Sequence, residues 1–314
     1  MSHPPTVIGL GEILWDVFPS GRRLGGAPAN FAYCCHLLGD SAIIASRTGN
    51  DELGRELRQV LVDAGLSDRG LQGGVTHPTG TVQVQVSESG QPSFRILEPV
   101  AWDFLEWNES WQSLAHSADA VCFGTLAQRS PVSRATILKF LDATPKRTLR
   151  VFDVNLRQSF YSAEIVSLSL KRANVLKLNH EELPLLADML QLDATSQASF
   201  CQQLLQRLDL RMVCVTRGSN GSLLADKTGV DEHPGFRAEI VDTVGAGDAF
   251  TAGLVHELSR GSALSVMNDT ANRMGAWVAS HAGAMPAVPA GGLDTVLAKL
   301  VKNDSTTASI GESK

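Results

Sequence analysis

Short apolar runs alternate with segments of helical spacing along most of the chain. A continuous apolar run of about four to eight residues predicts a buried strand, and apolar residues three or four positions apart predict a helix. Helices are predicted over Phe31–Leu38 and Asp51–Ala64, for example. This alternation predicts an α/β fold with a mostly parallel sheet and helices on both faces. The predicted strands are Val7–Leu10, Ser41–Ser46, Ala120–Gly124, Thr148–Val154 and the run that begins at Val175.

The segment between residues 79 and 97 follows a different pattern. Thr81–Val86 alternates strictly between apolar and polar residues, residues 88–90 contain a turn sequence, and Phe94–Leu97 is the returning strand. Glutamines at the polar positions indicate a half-exposed hairpin, because a strand inside a parallel sheet is buried on both faces. The segment therefore predicts a small β-sheet that lies over the body of the fold.

The composition limits the classes of function that remain open. A hydrophobic fraction of 43% supports a large core, and a net charge of −6 with 19% charged residues argues against binding to nucleic acid or anionic membranes. No apolar run reaches about 18 residues, and the first residues lack the pattern of a signal peptide. The five cysteines are odd in number and have no metal-binding spacing. We therefore expect core thiols and a cytoplasmic protein.

The stretch Asp242–Phe250 contains the strongest functional signal. Small residues from Gly245 to Gly247 precede an apolar run with helical spacing, so a loop should open into a helix here. The first turn of a helix has unpaired N–H groups and a partial positive charge, which favour a phosphate. A carboxylate at this point, Asp248, would repel phosphate, so its expected use is to take a proton from an attacking hydroxyl. The structural alternative is a helix cap.

This stretch resembles the C-terminal signature D-T-x-G-A-G-D-x-F of the ribokinase-like, or phosphofructokinase-B, family of sugar kinases, and it matches every fixed position. The resemblance implies a three-layer ribokinase-like fold and the cofactors ATP and Mg²⁺. It also implies that Asp248 is the catalytic base and that the amides of Gly245, Ala246 and Gly247 form an anion hole.

The resemblance also divides the chain into regions. Residues 1–302 are expected to form a single domain, and residues 303–314 a polar C-terminal tail. Segments of about 12–26 and 75–100 are expected to form a β lid that closes over the sugar. Such lids often pair in the family, so a homodimer through the lid is expected.

Two further motifs concern the sugar. Leu24–Asn30 places two glycines ahead of a helix start and resembles the family motif G-G-x-x-x-N. Asp153–Arg157 resembles the D-x-N-x-R segment of fructokinases and ketodeoxygluconate kinases. Its structural alternative is an ion pair between the Asp153 and Arg157 side chains. The residues that the resemblance assigns to the sugar are Asp16, Gly25, Gly26, Asn30, Asn155 and Arg157.

Three stretches concern the nucleotide: Asn179–Glu182, the turn Thr216–Gly221, which resembles the family's T-x-G-x-x-G turn, and the helix that contains Asn272. Asn179 followed by Glu182 is a capping-box pattern, and it also matches the family motif N-x-x-E, in which the glutamate orders Mg²⁺ through water. Many relatives bind a monovalent cation at the residue that matches Asp242, but Ala287 replaces a serine common in cation-activated members, so K⁺ dependence stays open. The residues that the resemblance assigns to ATP are Asn179, Glu182, Thr216, Gly218, Gly221 and Asn272.

The combined motifs predict an ATP-dependent sugar kinase that phosphorylates a primary hydroxyl. They look most like bacterial fructokinases, with 2-keto-3-deoxygluconate kinase and ribokinase as the nearest alternatives. Arg22, Arg23 and Arg95 in the predicted lid leave a phosphosugar substrate open. A sugar-binding regulator without catalysis is the alternative from a different class, and the intact Asp248 argues against it.

Overall fold

The computed structural model describes residues 3–74, 76–86 and 92–303, so the predicted turn at 88–90 and all but the first residue of the predicted tail lie outside the described residues. The strands are β1 (Thr6–Leu10), β2 (Leu14–Phe18), β3 (Gly21–Gly25), β4 (Ser41–Arg47), β5 (Leu71–Gln72), β6 (Gly80–Val86), β7 (Pro92–Ile96), β8 (Ala120–Phe123), β9 (Leu149–Asp153), β10 (Val175–Asn179), β11 (Met212–Thr216), β12 (Ser222–Asp226), β13 (Val230–His233), β14 (Phe236–Arg237) and β15 (Val301–Lys302). The helices are α1 (Ala27–Leu37), α2 (Glu52–Asp63), α3 (Glu109–Ser117), α4 (Pro131–Ala143), α5 (Ala163–Leu170), α6 (Glu182–Leu190), α7 (Gln197–Leu208), α8 (Ala246–Arg260), α9 (Leu264–Ala279) and α10 (Leu293–Ala298).

The large sheet has nine strands in the order β13-β12-β11-β10-β9-β8-β1-β4-β5. Neighbours from β11 to β5 pair in parallel, and β12 and β13 extend the sheet in antiparallel fashion. The predicted parallel strands are confirmed, with ends that differ from the predicted ones by one residue at most. The parallel part is buried on both faces, which explains why its strands are continuous apolar runs.

Successive residues of the large sheet belong to two separate hydrophobic clusters. Val7 packs in the cluster that contains residues of α1, α2, α8 and α9, and the next residue, Ile8, packs in the cluster that contains residues of α3 to α7. Because side chains alternate across a strand, the two clusters are the two faces of one sheet. The predicted three-layer arrangement is therefore confirmed.

The small sheet has four strands in the order β3-β2-β6-β7. The hairpin predicted from alternation is present, because β6 and β7 pair in antiparallel fashion with Val82 opposite Ile96. Val82 is buried and Gln83 is exposed, as the alternation requires. Strand β2 pairs in parallel with β6 and in antiparallel fashion with β3, which joins the two segments predicted for the lid into one sheet.

The carboxyl ends of the parallel strands lie at one edge of the large sheet. Asp153 ends β9, Asn179 ends β10 and Thr216 ends β11. In open α/β sheets ligands bind at this edge. Helices α1 and α8 pack against each other, which brings the glycine-rich segments before each of them to the same place. No helix in the described part of the chain is long and apolar enough to cross a membrane.

Candidate active site

The start of α8 requires glycine for two reasons. Gly245 has a φ of 77° and precedes the first helical residue. A β-carbon at this position would also collide with Ala284. The loop therefore delivers the first helical amides to the edge of the sheet, where positive partial charge accumulates. Among the amides predicted for the anion hole, that of Ala246 donates to the carbonyl of Thr243 at 3.2 Å.

Asp248 and Asn30 are in direct contact. The Asn30 Nδ2 donates to Asp248 Oδ2 at 2.8 Å, which joins α1 to α8. Asn30 is 3% exposed, and its Oδ1 is buried without a partner among the described residues. A buried amide oxygen without a partner costs free energy unless a ligand hydroxyl or a water donates to it. The asparagine therefore orients the carboxylate and keeps one acceptor open.

The pKa of Asp248 lies well above that of an ordinary aspartate. Burial and the nearby Asp153 carboxylate raise the pKa of Asp248 to about 6, although the bond from Asn30 and the charges of Lys177 and Arg157 lower it. A carboxyl group with this pKa is mostly ionised at pH 7 and more basic than an exposed aspartate. This combination suits a general base.

A buried ion pair that sequence reasoning missed lies beside the start of α8. Lys177 Nζ is 3.0 Å from Asp153 Oδ2, and the two side chains are 8% and 5% exposed. A β-carbon on Gly247 would lie 3.1 Å from the same Nζ, so the ammonium group is next to the first turn of α8. Asp153 thus pairs with Lys177, and the alternative of an Asp153–Arg157 pair is wrong.

The Lys177 ammonium is surrounded by carboxylates. Burial alone would lower the pKa of Lys177, but Asp153, Glu182 and Asp248 together raise it. The lysine is therefore charged at neutral pH. A lysine in the middle of the apolar run Val175–Asn179 was the available sequence signal, because a charged residue is almost never buried without a partner.

The predicted sugar residues of the lid pack closely. A β-carbon on Gly25 of β3 would collide with the Asp16 carboxylate of β2, and one on Gly26 would lie 2.7 Å from the Glu12 carbonyl oxygen. Burial and the nearby Asp242 raise the pKa of Asp16 to about 6, while Arg157 and Arg23 lower it. Gly25 thus lets β3 approach the Asp16 carboxylate, and Gly26 lets the start of α1 approach the backbone at Glu12.

A small cleft opens between α1 and the ends of β8 and β9. It is lined by Asp248, Asp153 and Asn155, together with apolar side chains including Phe31. Asn155 has a φ of 42°, so its backbone adopts the left-handed conformation where the chain leaves β9. The structure thus brings Asn155 to Asp248, and Arg157, which is exposed, acts on Asp248 electrostatically.

Glu12 is a second buried carboxyl group that sequence reasoning missed. It is 2% exposed, and its Oε2 has no partner among the described residues. Burial and, to a smaller extent, the nearby Asp248 raise the pKa of Glu12 to about 7. The position after Gly11 in a strand-to-lid connection gave no signal, because glutamate is usually exposed there.

On the nucleotide side, the predicted capping box is present. Asn179 Oδ1 accepts from the Glu182 amide at 2.8 Å, and Glu182 Oε2 accepts from the Asn179 amide at 2.8 Å. Glu182 Oε1 also accepts from the Leu156 amide at 2.8 Å. Each carboxylate oxygen keeps a further lone pair, so the group fits water bound to a magnesium ion. No cluster of three or more metal-binding side chains occurs among the described residues.

The remaining predicted nucleotide residues occupy two different environments. Gly218 and Gly221 have φ values of 60° and 76° in the turn after β11, where Thr216 ends the strand. Asn272, in contrast, is 7% exposed, and its Nδ2 donates to Ser222 Oγ at 2.7 Å. Asn272 is therefore tied into a buried polar cluster between α9 and β12.

Comparison with known proteins agrees with this geometry. The sequence matches the pfkB family carbohydrate kinase profile over residues 18–291. It is 30% identical to the fructokinase of Escherichia coli, over 89% of this chain and 95% of that protein. It is 29% identical to the aminoimidazole riboside kinase of Salmonella typhimurium, over 89% of this chain and 91% of that protein. A crystal structure of a Vibrio cholerae O395 fructokinase double mutant with fructose, ADP and a potassium ion has a TM-score of 0.80 at 27% identity, covering 96% of this chain and 100% of that chain.

A carboxylate at the glycine-rich start of a helix, at the ligand-binding edge of a three-layer α/β sheet, is an arrangement suited to phosphoryl transfer to an alcohol. The chain belongs to the pfkB family of carbohydrate kinases. The ribokinase-like fold and the sugar kinase activity expected from the sequence are thereby confirmed.

Proposed function

We propose that this sugar kinase transfers the γ-phosphoryl group of ATP to the primary hydroxyl of D-fructose and forms fructose 6-phosphate. The observation that carries the proposal is the bond between Asn30 and Asp248, next to the start of α8 and to an amide oxygen that has no partner in the described part of the chain. The choice of fructose draws support from the relatives named fructokinase and from the fructose bound in the Vibrio cholerae structure.

Asp248 is the proposed general base. With a pKa of about 6, Asp248 is ionised in most molecules at pH 7. Its carboxylate accepts the proton of the sugar hydroxyl as the hydroxyl oxygen attacks phosphorus. Asn30 holds the carboxylate in one orientation through its 2.8 Å bond. Positioning and charge stabilisation, rather than covalent chemistry, account for most of the acceleration in phosphoryl transfer.

The proposed anion hole combines amides and a cation. In this proposal the amides of Gly245 and Gly247, the Ala246 amide once it leaves the Thr243 carbonyl, and the Lys177 ammonium stabilise the charge that develops on the transferred group. Support comes from the distance of 3.1 Å between Lys177 Nζ and the position of a β-carbon on Gly247. The lysine also neutralises Asp153, which would otherwise repel phosphate.

The remaining assignments complete the two halves of the proposed site. Glu182 would hold Mg²⁺ indirectly through a bound water, and the ion would supply neutralisation of the phosphate charge. We propose the sugar residues as Asp16, Gly25, Gly26, Asn30, Asn155 and Arg157. We propose the nucleotide residues as Asn179, Glu182, Thr216, Gly218, Gly221 and Asn272.

The test is a coupled ADP-release assay across fructose, ribose, 2-keto-3-deoxygluconate, fructose 6-phosphate and aminoimidazole riboside. We expect the highest kcat/KM with fructose, and a higher value with any other acceptor would reassign the substrate. In Asp248→Asn, kcat should fall by at least about a hundredfold, with KM for both substrates little changed. Asp188→Asn, an exposed aspartate on α6, is the matched control and should retain full activity. Retained turnover in Asp248→Asn would remove Asp248 from the base role.

We also propose a homodimer formed through the lid. In the four-stranded sheet, β3 and β7 are the outer strands, and Val17 of β2 is 37% exposed. A sheet that is half exposed over a binding site is a suitable surface for a second copy. Light scattering after size exclusion tests this, and a monomeric mass at micromolar concentration would exclude it.

A further inference from the structure

Two consecutive arginines of β3 connect the lid to two different parts of the body. Arg22 pairs with Glu56 of α2, and Arg23 Nη1 lies 3.2 Å from Asp242 Oδ2 in the loop before α8. Successive side chains of a strand point to opposite faces, so adjacent residues reach separate partners. Only the second contact reaches the segment that leads to the anion hole.

The Asp242 carboxylate accepts hydrogen bonds from three donors. Oδ1 accepts from the Val244 amide at 3.0 Å, and Oδ2 accepts from the Gly283 amide at 3.0 Å and from Arg23. A β-carbon on Gly283 would lie 3.2 Å from Arg23 Cδ, so glycine leaves room for the arginine stem. The carboxylate thus joins the lid, the loop before α8 and the loop at Gly283 at one point.

Arg23 also lies beside the sugar half of the proposed site. It is the direct cross-strand partner of Asp16 in the β2–β3 register, and such partners have β-carbons about 5 Å apart. Its charge lowers the pKa of Asp16, which burial raises. One guanidinium group therefore acts through its charge on the Asp16 carboxylate of the lid and forms an ion pair with the Asp242 carboxylate of the body.

The residues at Asp242 do not fit the monovalent cation that the family resemblance suggests. A carboxylate has about four lone-pair positions, and three are occupied by the donors already described. A further cation on the remaining position would lie next to the positive charge of Arg23, and like charges repel. The arginine therefore supplies the positive charge at this carboxylate.

We propose that Arg23 is a positioning residue whose guanidinium group takes the place of a monovalent cation at Asp242. It holds the lid against the loop before the anion hole, and it makes phosphoryl transfer independent of K⁺. The proposal rests on the sugar kinase function proposed above. It predicts that loss of the guanidinium weakens sugar binding and opens the carboxylate to an external cation.

The test compares Arg23→Met with Arg22→Met in KCl and in choline chloride at equal ionic strength. The wild type and Arg22→Met should have the same kcat and KM in both salts. In Arg23→Met with choline chloride, KM for the sugar should rise about two- to fivefold, with a smaller change in kcat, because an exposed ion pair is lost. KCl should recover part of the loss, and Arg23→Lys should behave like the wild type.

Either of two kinetic results would overturn the proposal: an unchanged sugar KM in Arg23→Met, or a wild-type enzyme that K⁺ activates severalfold. A second readout does not depend on turnover. The melting temperature of Arg23→Met should be higher in KCl than in choline chloride, and that of the wild type should not differ. If no sugar is phosphorylated by the wild type, the proposed function fails, and equal melting temperatures of Arg23→Met in the two salts would separately refute the role of Arg23.

Discussion

The large sheet and the lid each contribute one carboxylate–cation pair next to the site, and the two pairs differ in exposure. Lys177 and Asp153 lie 3.0 Å apart with side chains 8% and 5% exposed. Arg23 and Asp242 lie 3.2 Å apart with side chains 45% and 21% exposed. Water and salt screen the second pair but hardly reach the first. The two distances are nearly equal, but the pairs differ in kind. The Lys177–Asp153 pair is a fixed part of the body, whereas the Arg23–Asp242 pair is a contact of the lid that can open.

The largest effect should come from breaking the buried pair. In Lys177→Met the Asp153 carboxylate stays buried without its partner, so the free energy of unfolding should fall by about 3–5 kcal/mol. Denaturant titration at pH 7 measures this. The midpoint of the pH–rate profile should also rise, because Lys177 lowers the pKa of Asp248.

The double variant Lys177→Met/Asp153→Asn is the control for that experiment. It removes both charges, so stability should partly return while turnover stays low. If Lys177→Met alone were as stable as the wild type, the pair would not behave as a buried one.

A pH titration should separate activity from stability. Asp248 and Asp16 have pKa values of about 6, and Glu12 has a pKa of about 7, all above their ordinary values because of burial. Folded protein thus binds these protons more tightly than unfolded protein, and the stability they contribute is lost as pH rises from about 4 to 7. Over the same range kcat should rise with a midpoint near pH 6, and it should level off above about pH 7 as Asp248 becomes almost fully ionised.

Thermal or denaturant unfolding from pH 4 to 7, next to initial rates, measures both trends. Asp248→Asn should reduce the slope of stability against pH, and Asp188→Asn should leave it unchanged. A rate that is constant across this range would be incompatible with Asp248 as the base.

The smallest effect should come from the exposed pair. Arg23→Met should change the free energy of unfolding by less than about 1 kcal/mol, because exposed ion pairs contribute about 0.2–1 kcal/mol. The same denaturant titration as for Lys177→Met gives the value. A loss as large as that of Lys177→Met would mean that the two pairs do not differ in the way their exposure indicates.

The fold could be predicted from local patterns, and the site only in part. Apolar runs such as Val175–Asn179 and the alternation of Thr81–Val86 depend on neighbouring residues alone, so both sheets were predictable. The bond between Asn30 and Asp248 joins residues 218 positions apart, and no local pattern contains it. Lys177 was missed because its partner lies on another strand.

The close approach of Gly245 to Ala284 has a consequence for variation at these two positions. The methyl group of Ala284 occupies the space that a side chain at position 245 would need, although the two residues belong to different segments of the chain. Bulk added at position 284 would push directly on the loop that leads into α8. We therefore expect tolerated substitutions at the two sites to be coupled, and a larger residue at 284 to impair phosphoryl transfer while leaving sugar binding largely intact.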